Sequence, residues 1–322
     1  METVLLILVI VLASLLFLLD VAKPIFIGFY VGRILFRNHL IRKHKEDWGR
    51  DRCSDPTNYE QVLMWNDGLA WGEENKDFCT PVDIISEGFH LYGEFYDFKK
   101  DKTVIIVPGR TETLQYSYYF ARPYKELGFN VLVIDKRAHG WSDGTYEDGG
   151  QYSHVDLLNW AKYLHERFNV NDITLHGICI GASTCVFAFA SKDLPEYVKR
   201  LVADGVFTTF YDTFKNHMID QHRQIFPYCR LTMWWGKRYT KADLTHNGPR
   251  YQMKNITKPL LFLYSKLDLF STPDQAHELY EKCNAKKKEL VFFDKGCHSH
   301  ILFNNPEKYR ESIKKFMEET PE

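Results

Sequence analysis

Leu175-His176-Gly177-Ile178-Cys179-Ile180-Gly181-Ala182 sets a thiol between two glycines, with a short β-rich run before it (172–175) and a small, apolar helical stretch after it (182–191). A side chain at the apex of a strand-to-helix turn stands on strained backbone with neighbours crowded against it. Gly177 and Gly181 meet that demand for positions without a Cβ. The G-x-C-x-G turn therefore predicts a nucleophile elbow, with cysteine where serine is commoner. A structural cysteine buried in a glycine-flanked turn is the alternative, since free Cys is among the most buried residue types.

Around the elbow, strand-like runs alternate with helical or loop segments, the pattern of a mainly parallel, doubly wound sheet. Strands are predicted over 103–107, 130–135, 173–175, 201–204, 259–264 and 289–293, preceded by a β-hairpin of 82–86 and 89–98 around Glu87-Gly88. Helices are predicted over 116–127, 155–168, 272–283 and 306–317. Ligands of such sheets bind at the carboxyl ends of the strands, so the chemistry is to be sought just past each one.

Past the strand ending at Val107 comes Pro108-Gly109-Arg110-Thr111-Glu112-Thr113. The backbone N–H groups of Arg110 and Ile180 are the pair expected to face a developing oxyanion, where one such donor is worth about 2.7–4 kcal/mol. The alternative is a strand-end turn in which the Arg110 and Glu112 side chains pair and hold the loop. After the next strand, Asp135-Lys136-Arg137-Ala138-His139-Gly140-Trp141-Ser142-Asp143-Gly144 reads as a loop whose Asp and Arg brace its neighbours.

A thiol nucleophile needs a base, and the base an orienting acid, in the chain order nucleophile, acid, histidine. Asp268 lies between the strand over 259–264 and a helix, and His298 between the last strand and the final helix. Cys179 (nucleophile), Asp268 (acid) and His298 (base) form the expected triad. Asp204, at the end of the strand over 201–204, and His300 are the competitors. Cys297-His298-Ser299-His300 also admits a metal reading, but no Cys-x-x-Cys pair or His-Glu-x-x-His helix accompanies it, so no metal is expected.

With these segments in place, the chain resembles the α/β-hydrolases of the serine aminopeptidase and lysophospholipase or monoacylglycerol lipase type. The resemblance rests on the 108–113 and 135–144 loops, Gly177-Ile178-Cys179-Ile180-Gly181, the Asp268 segment, and Gly296-Cys297-His298 followed by Tyr309 and Phe316. It runs from about residue 80 to the C-terminus. It implies hydrolysis of esters, thioesters or amides without a cofactor. Two departures stand out: Pro108 where His is usual, and Cys179 for Ser. A thiolate is a good nucleophile and a good leaving group, so cysteine suits activated acyl groups better than amides. Dienelactone hydrolases are similar at the elbow.

The stretch 209–257 is too long for a simple connection and carries Phe210, Tyr211, Phe214, Phe226, Tyr228, Trp234, Trp235 and Tyr239. It reads as a cap whose aromatics either receive an apolar substrate or form the cap's own core. At the other end, residues 4–19 (VLLILVIVLASLLFLL) are uncharged, and apolar residues return over 24–31 after Asp20 and Lys23. That run is a little short of the ~20 residues of a spanning helix, and tilt and snorkelling of Lys23 complete it. A signal peptide is the rival, but Met1-Glu2-Thr3 has no positive charge and no small-x-small cleavage site follows. Lys23, Arg33, Arg37, Arg42, Lys43 and Lys45 all lie C-terminal to the run, so a single-pass anchor with a cytoplasmic catalytic domain is expected. Within that stretch, Ile34-Leu35-Phe36 reads as an amphipathic surface helix or as part of a polar linker.

Seven irregularly spaced cysteines do not form a disulfide framework and fit a reducing compartment. A formal net charge of −1 excludes the basic bias of a nucleic-acid binder. The 322 residues thus divide into an anchor and juxtamembrane segment (1–45) and a hydrolase domain (46–322), with 46–80 a helical lead-in. The expected function is hydrolysis of a lipid-like ester or thioester at a membrane. An acyltransferase using the same triad, or a catalytically silent binding protein, is the alternative. Retention of Asp268 and His298 argues against a decayed site.

Overall fold

The computed structural model describes residues 2–44 and 46–321; Met1 and Lys45, which entered the reading of the N-terminus, lie outside them. Eight strands, β1 (Cys79–Ser86), β2 (Phe89–Tyr96), β3 (Lys102–Val107), β4 (Phe129–Ile134), β5 (Asp172–Ile178), β6 (Val198–Asp204), β7 (Leu260–Ser265) and β8 (Lys288–Phe293), make one sheet. Their order is β1-β2-β4-β3-β5-β6-β7-β8. The β1–β2 hairpin and the β2–β4 pair are antiparallel, and every pairing from β4 to β8 is parallel. Strands β4, β5 and β7 are buried along their whole length because helices cover both faces, which is why they read as continuous apolar runs. At the edges, β1 and β8 are only partly buried.

The helices are α1 (Glu2–Leu40), α2 (Tyr59–Glu74), α3 (Leu114–Glu126), α4 (His154–Phe168), α5 (Ile180–Phe189), α6 (Phe210–Asp220), α7 (Tyr228–Thr240), α8 (Pro249–Gln252), α9 (Pro273–Lys282), α10 (Ile301–Asn304) and α11 (Pro306–Glu318). One core joins the sheet to α4, α5 and α9, with Trp160, Val186 and Leu279 inside it. The other joins it to α2, α3 and α11 through Trp71, Phe120 and Phe316. Each side chain buried in this way contributes about 1.5–3 kcal/mol. Helix α5 is buried at all ten positions, so its small residues bring the elbow close to the sheet.

Strand β6 begins three residues before the predicted start. The charge of Arg200 hides the pattern in sequence, and in the fold it is met at 2.5 Å by Asp172 on β5. The 135–144 loop braces its surroundings as expected. Asp135 accepts from the backbone N–H groups of Leu114 and Trp141, and Arg137 grips Asp156 through Nε and Nη2.

Helix α1 has two halves. Its apolar N-terminal half is long enough to cross a membrane, and the large side chains over 4–19 stand 50–69 % exposed. Its second half packs on α7. A Cβ on Gly28 or Gly32 would come within 2.9 or 2.7 Å of Leu231, so glycines one helical turn apart let the two helices approach closely. Trp235 donates from Nε1 to the Phe29 carbonyl at 3.0 Å, Arg33 lies over the Trp235 ring, and Phe36 stacks on Tyr239. Leu35 and Phe36 are therefore buried in the cap rather than spread on a membrane surface or held in a polar linker. These contacts do not mark the division expected at residue 45, because Gly28, Gly32, Leu35, Phe36 and Leu40 pack against α7 and its neighbours.

Candidate active site

The elbow forms where β5 ends. Cys179 has φ 54° and ψ −115°, a left-handed position that a non-glycine residue holds only when its surroundings impose it. Here the Cys179 N–H donates to the Asp204 carbonyl on β6 at 2.8 Å, and α5 starts at the next residue. The flanking glycines are sterically required. A Cβ on Gly177 would meet Ala182 backbone at 2.5 Å, and one on Gly181 would meet the Val107 carbonyl oxygen at 2.2 Å. Gly181→Ala is therefore expected to destabilise the protein by about 3 kcal/mol and to lower Tm by on the order of 10 °C. Thermal unfolding followed by circular dichroism checks this, and an unchanged Tm contradicts the tight approach.

Asp268 follows β7, and its Oδ1 accepts from the Phe270 and Ser271 N–H groups, both at 2.8 Å. That leaves Oδ2 for His298, whose Nδ1 lies 2.6 Å away. Gly205, at φ +61°, makes room for the imidazole, since a Cβ there would reach His298 Cε1 at 3.1 Å. Burial lowers the proton affinity of His298, but the Asp268 carboxylate and then Cys179 outweigh it and raise the pKa well above its ordinary value. Nε2 is buried and makes no hydrogen bond among the described residues, and Cys179 is, after Asp268, the group that acts most on its charge.

The competitors are engaged elsewhere. Asp204 lies beneath the elbow and accepts from the Tyr309 hydroxyl at 2.8 Å; burial pushes its pKa up to about 7. His300 faces away from the elbow, its two ring nitrogens 2.9 Å from Glu60 and Gln61 on α2. No cluster of three or more His, Cys, Asp or Glu side chains able to hold a metal occurs among the described residues.

In the 108–113 loop, Glu112 turns inward to accept from the Gly109 N–H at 2.9 Å and from the Gln61 amide at 3.2 Å. Burial pushes its pKa up to about 7. It shapes the loop without pairing with Arg110, contrary to the alternative drawn from sequence. The N–H of Arg110 makes no hydrogen bond among the described residues, and Ile180 opens α5, where the N–H has no intrahelical partner. Both donors are free beside the thiol.

A narrow cavity adjoins Cys179, with about 30 Å³ free, on the order of two water sites. Ile180 and Phe207, with Phe210, Thr213, Phe214 and His217 of α6, line it together with Arg110 and His39. His217 stacks on Phe270 at 3.6 Å, and burial pushes its pKa down to about 3. Sequence reasoning missed both histidines. His39 lies in a stretch read as juxtamembrane, and only the Gly28-x-x-x-Gly32 spacing signals that this half of α1 packs against protein.

With this geometry in view, the comparisons with known proteins agree on the architecture. A family model described as alpha/beta hydrolase fold matches residues 102–228. The uncharacterized protein YqkD of Bacillus subtilis is 27 % identical over 218 residues, 67 % of this chain and 71 % of that protein. Protein bem46 of Schizosaccharomyces pombe is 24 % identical over 179 residues, 55 % of this chain and 54 % of its own. The Pyrococcus furiosus esterase Pf2001 superposes with a TM-score of 0.63 at 23 % identity, covering 77 % of this chain and 95 % of its own. Strand order, the elbow after β5, and acid and histidine after β7 and β8 all fall in one pattern, and the chain has the α/β-hydrolase fold.

Proposed function

We propose that the protein is a membrane-anchored hydrolase of carboxylic esters or thioesters that acts through Cys179, His298 and Asp268. The observation that carries this reading is the Asp268–His298 hydrogen bond beside a cysteine on strained elbow backbone. His298 Nε2 takes the thiol proton as Sγ attacks the acyl carbonyl. The oxyanion is met by the Arg110 and Ile180 N–H groups. The ester C–O or thioester C–S bond breaks, and the leaving group takes the proton from His298 Nε2. Water, deprotonated by the same nitrogen, then attacks the acyl-enzyme and frees the thiol. The esterase among the fold neighbours favours ester bonds, and cysteine favours activated acyl groups over amides.

The apolar half of α1 supports the anchor, and the basic residues beyond it support a cytoplasmic catalytic domain. An aromatic cap favours a lipid-like substrate. The narrow cavity limits what such a substrate delivers to Cys179 to an acyl group of a few heavy atoms. The test is a ladder of 4-nitrophenyl esters and matching thioesters, turned over by the full chain in detergent. Because His39 and Phe36 of α1 belong to the pocket and cap, a version lacking α1 is not equivalent. Turnover is expected to peak at two to four acyl carbons and to fall at least ~10-fold by twelve. A peak at long chains contradicts the narrow cavity, and no turnover of any ester or thioester removes the hydrolase reading.

A further inference from the structure

Arg110 brings a charge into the cavity that the protein leaves unanswered. Its guanidinium makes no ion pair or hydrogen bond among the described residues, and the two nearest carboxylates are held elsewhere. Glu112 is bound to Gly109 and Gln61, and Glu147 meets Lys136 Nζ at 2.9 Å. Arg110 lines the cavity together with Cys179 and His217, and its charge acts on both. Taking a guanidinium out of water without a counter-ion costs several kcal/mol, a cost that an anionic ligand offsets.

The remaining lining suits such a ligand. Phe207, Phe210 and Phe214 offer apolar walls, and the Thr213 hydroxyl and the His39 and His217 imidazoles offer polar edges that make no hydrogen bond among the described residues. A short chain ending in a carboxylate offers the planar partner that a guanidinium grips with two parallel hydrogen bonds, and a chain larger than the about 30 Å³ of free space has to displace lining side chains. Position decides which half of the substrate enters. The cavity touches Cys179 and both oxyanion donors, Arg110 and Ile180, while His298, which hands its proton to the leaving group, is not among its lining residues. The acyl half therefore occupies the cavity, and the leaving group lies on the His298 side.

We propose that Arg110 binds a carboxylate at the far end of the acyl half, so that the substrates are monoesters or monothioesters of a short dicarboxylic acid. This rests on the hydrolase reading above. Sγ displaces the alcohol or thiol, which leaves with the proton of His298. Water then displaces sulfur, giving the second carboxyl of the free diacid and restoring the thiol.

The experiment compares 4-nitrophenyl hydrogen glutarate with 4-nitrophenyl valerate, an ester of like size without the charge. It uses the full chain and the Arg110→Gln and Arg110→Lys variants. Disturbance of the loop that carries the Arg110 N–H lowers both esters together and cancels in the ratio of their kcat/KM. The wild type is expected to favour the glutarate ester by about 30-fold, as a charge-assisted pair provides. Arg110→Gln should bring the ratio to about one, and Arg110→Lys should restore part of it. A wild-type ratio of one or less, or a ratio unchanged in Arg110→Gln, overturns the proposal. Glutarate binding to the same three proteins by calorimetry separates this from failure of the hydrolase reading. Binding weakened at least ~10-fold by Arg110→Gln, without turnover of either ester, retains the anion site and rejects the hydrolase; absence of binding and turnover rejects both.

Discussion

Cys179→Ala is expected to lower ester turnover by about ten-thousand-fold or more, since removing the attacking atom leaves only binding and the oxyanion donors. The side chain is half-buried with open space on its cavity side, so the melting temperature should change by no more than a few degrees. Cys179→Ser is the sharper comparison. Its hydroxyl fits the same place, yet it gives up a proton far less readily than a thiol and is the weaker nucleophile. It should retain less than about 1 % of activity. Full activity in Cys179→Ala contradicts the assignment of the nucleophile, whereas full activity in Cys179→Ser contradicts only the advantage assigned to the thiol.

Asp268→Asn is the second large effect. An amide accepts poorly from Nδ1–H and carries no charge to stabilise the imidazolium, so kcat is expected to fall by about 10³–10⁴-fold. The same substitution has a stability signature with a definite sign. The folded protein holds the His298 pKa above its unfolded value, so the pair's contribution is fully present below about pH 6.5 and is lost as pH rises through the higher folded pKa. The melting temperature of Asp268→Asn should therefore trail the wild type by more at pH 6 than at pH 9. Thermal unfolding of both proteins at the two pH values decides it. A gap that widens toward pH 9 means that His298 is not held protonated by this carboxylate.

Much of the sheet was legible because its strands are short apolar runs bounded by turn residues, and the elbow because glycines at both flanks of a reactive side chain serve few other purposes. Asp268 and His298 could be nominated from their place after strands. Their meeting could not, because it depends on loops folded from segments thirty residues apart, on Oδ1 being occupied by two backbone donors, and on Gly205 clearing space for the ring. Arg110 and Glu112 look like an ion pair in sequence. Only the contact from Gln61 on α2, in the lead-in that sequence left without a role, shows why Glu112 turns away and leaves the guanidinium to the cavity.

The N-terminus gave the opposite lesson. Hydropathy treats α1 as one apolar run followed by a basic segment, and that pattern carries no mark of where exposed helix becomes protein-facing helix. The change falls at Gly28, where the missing side chain admits Leu231, and continues through Phe36 to His39 at the cavity. The helix whose first half is apolar enough to cross a membrane thus also contributes Phe36 to the buried cluster around α6 and α7 and His39 to the cavity wall.

The most direct test of the central claim is intact-mass spectrometry of the full chain, quenched in acid within seconds of mixing with a short-chain 4-nitrophenyl ester. A transient adduct of one acyl group is expected that maps to Cys179 and is absent from Cys179→Ala. Turnover that proceeds with no adduct on Cys179, or with an adduct that persists when Cys179 is replaced, would contradict it.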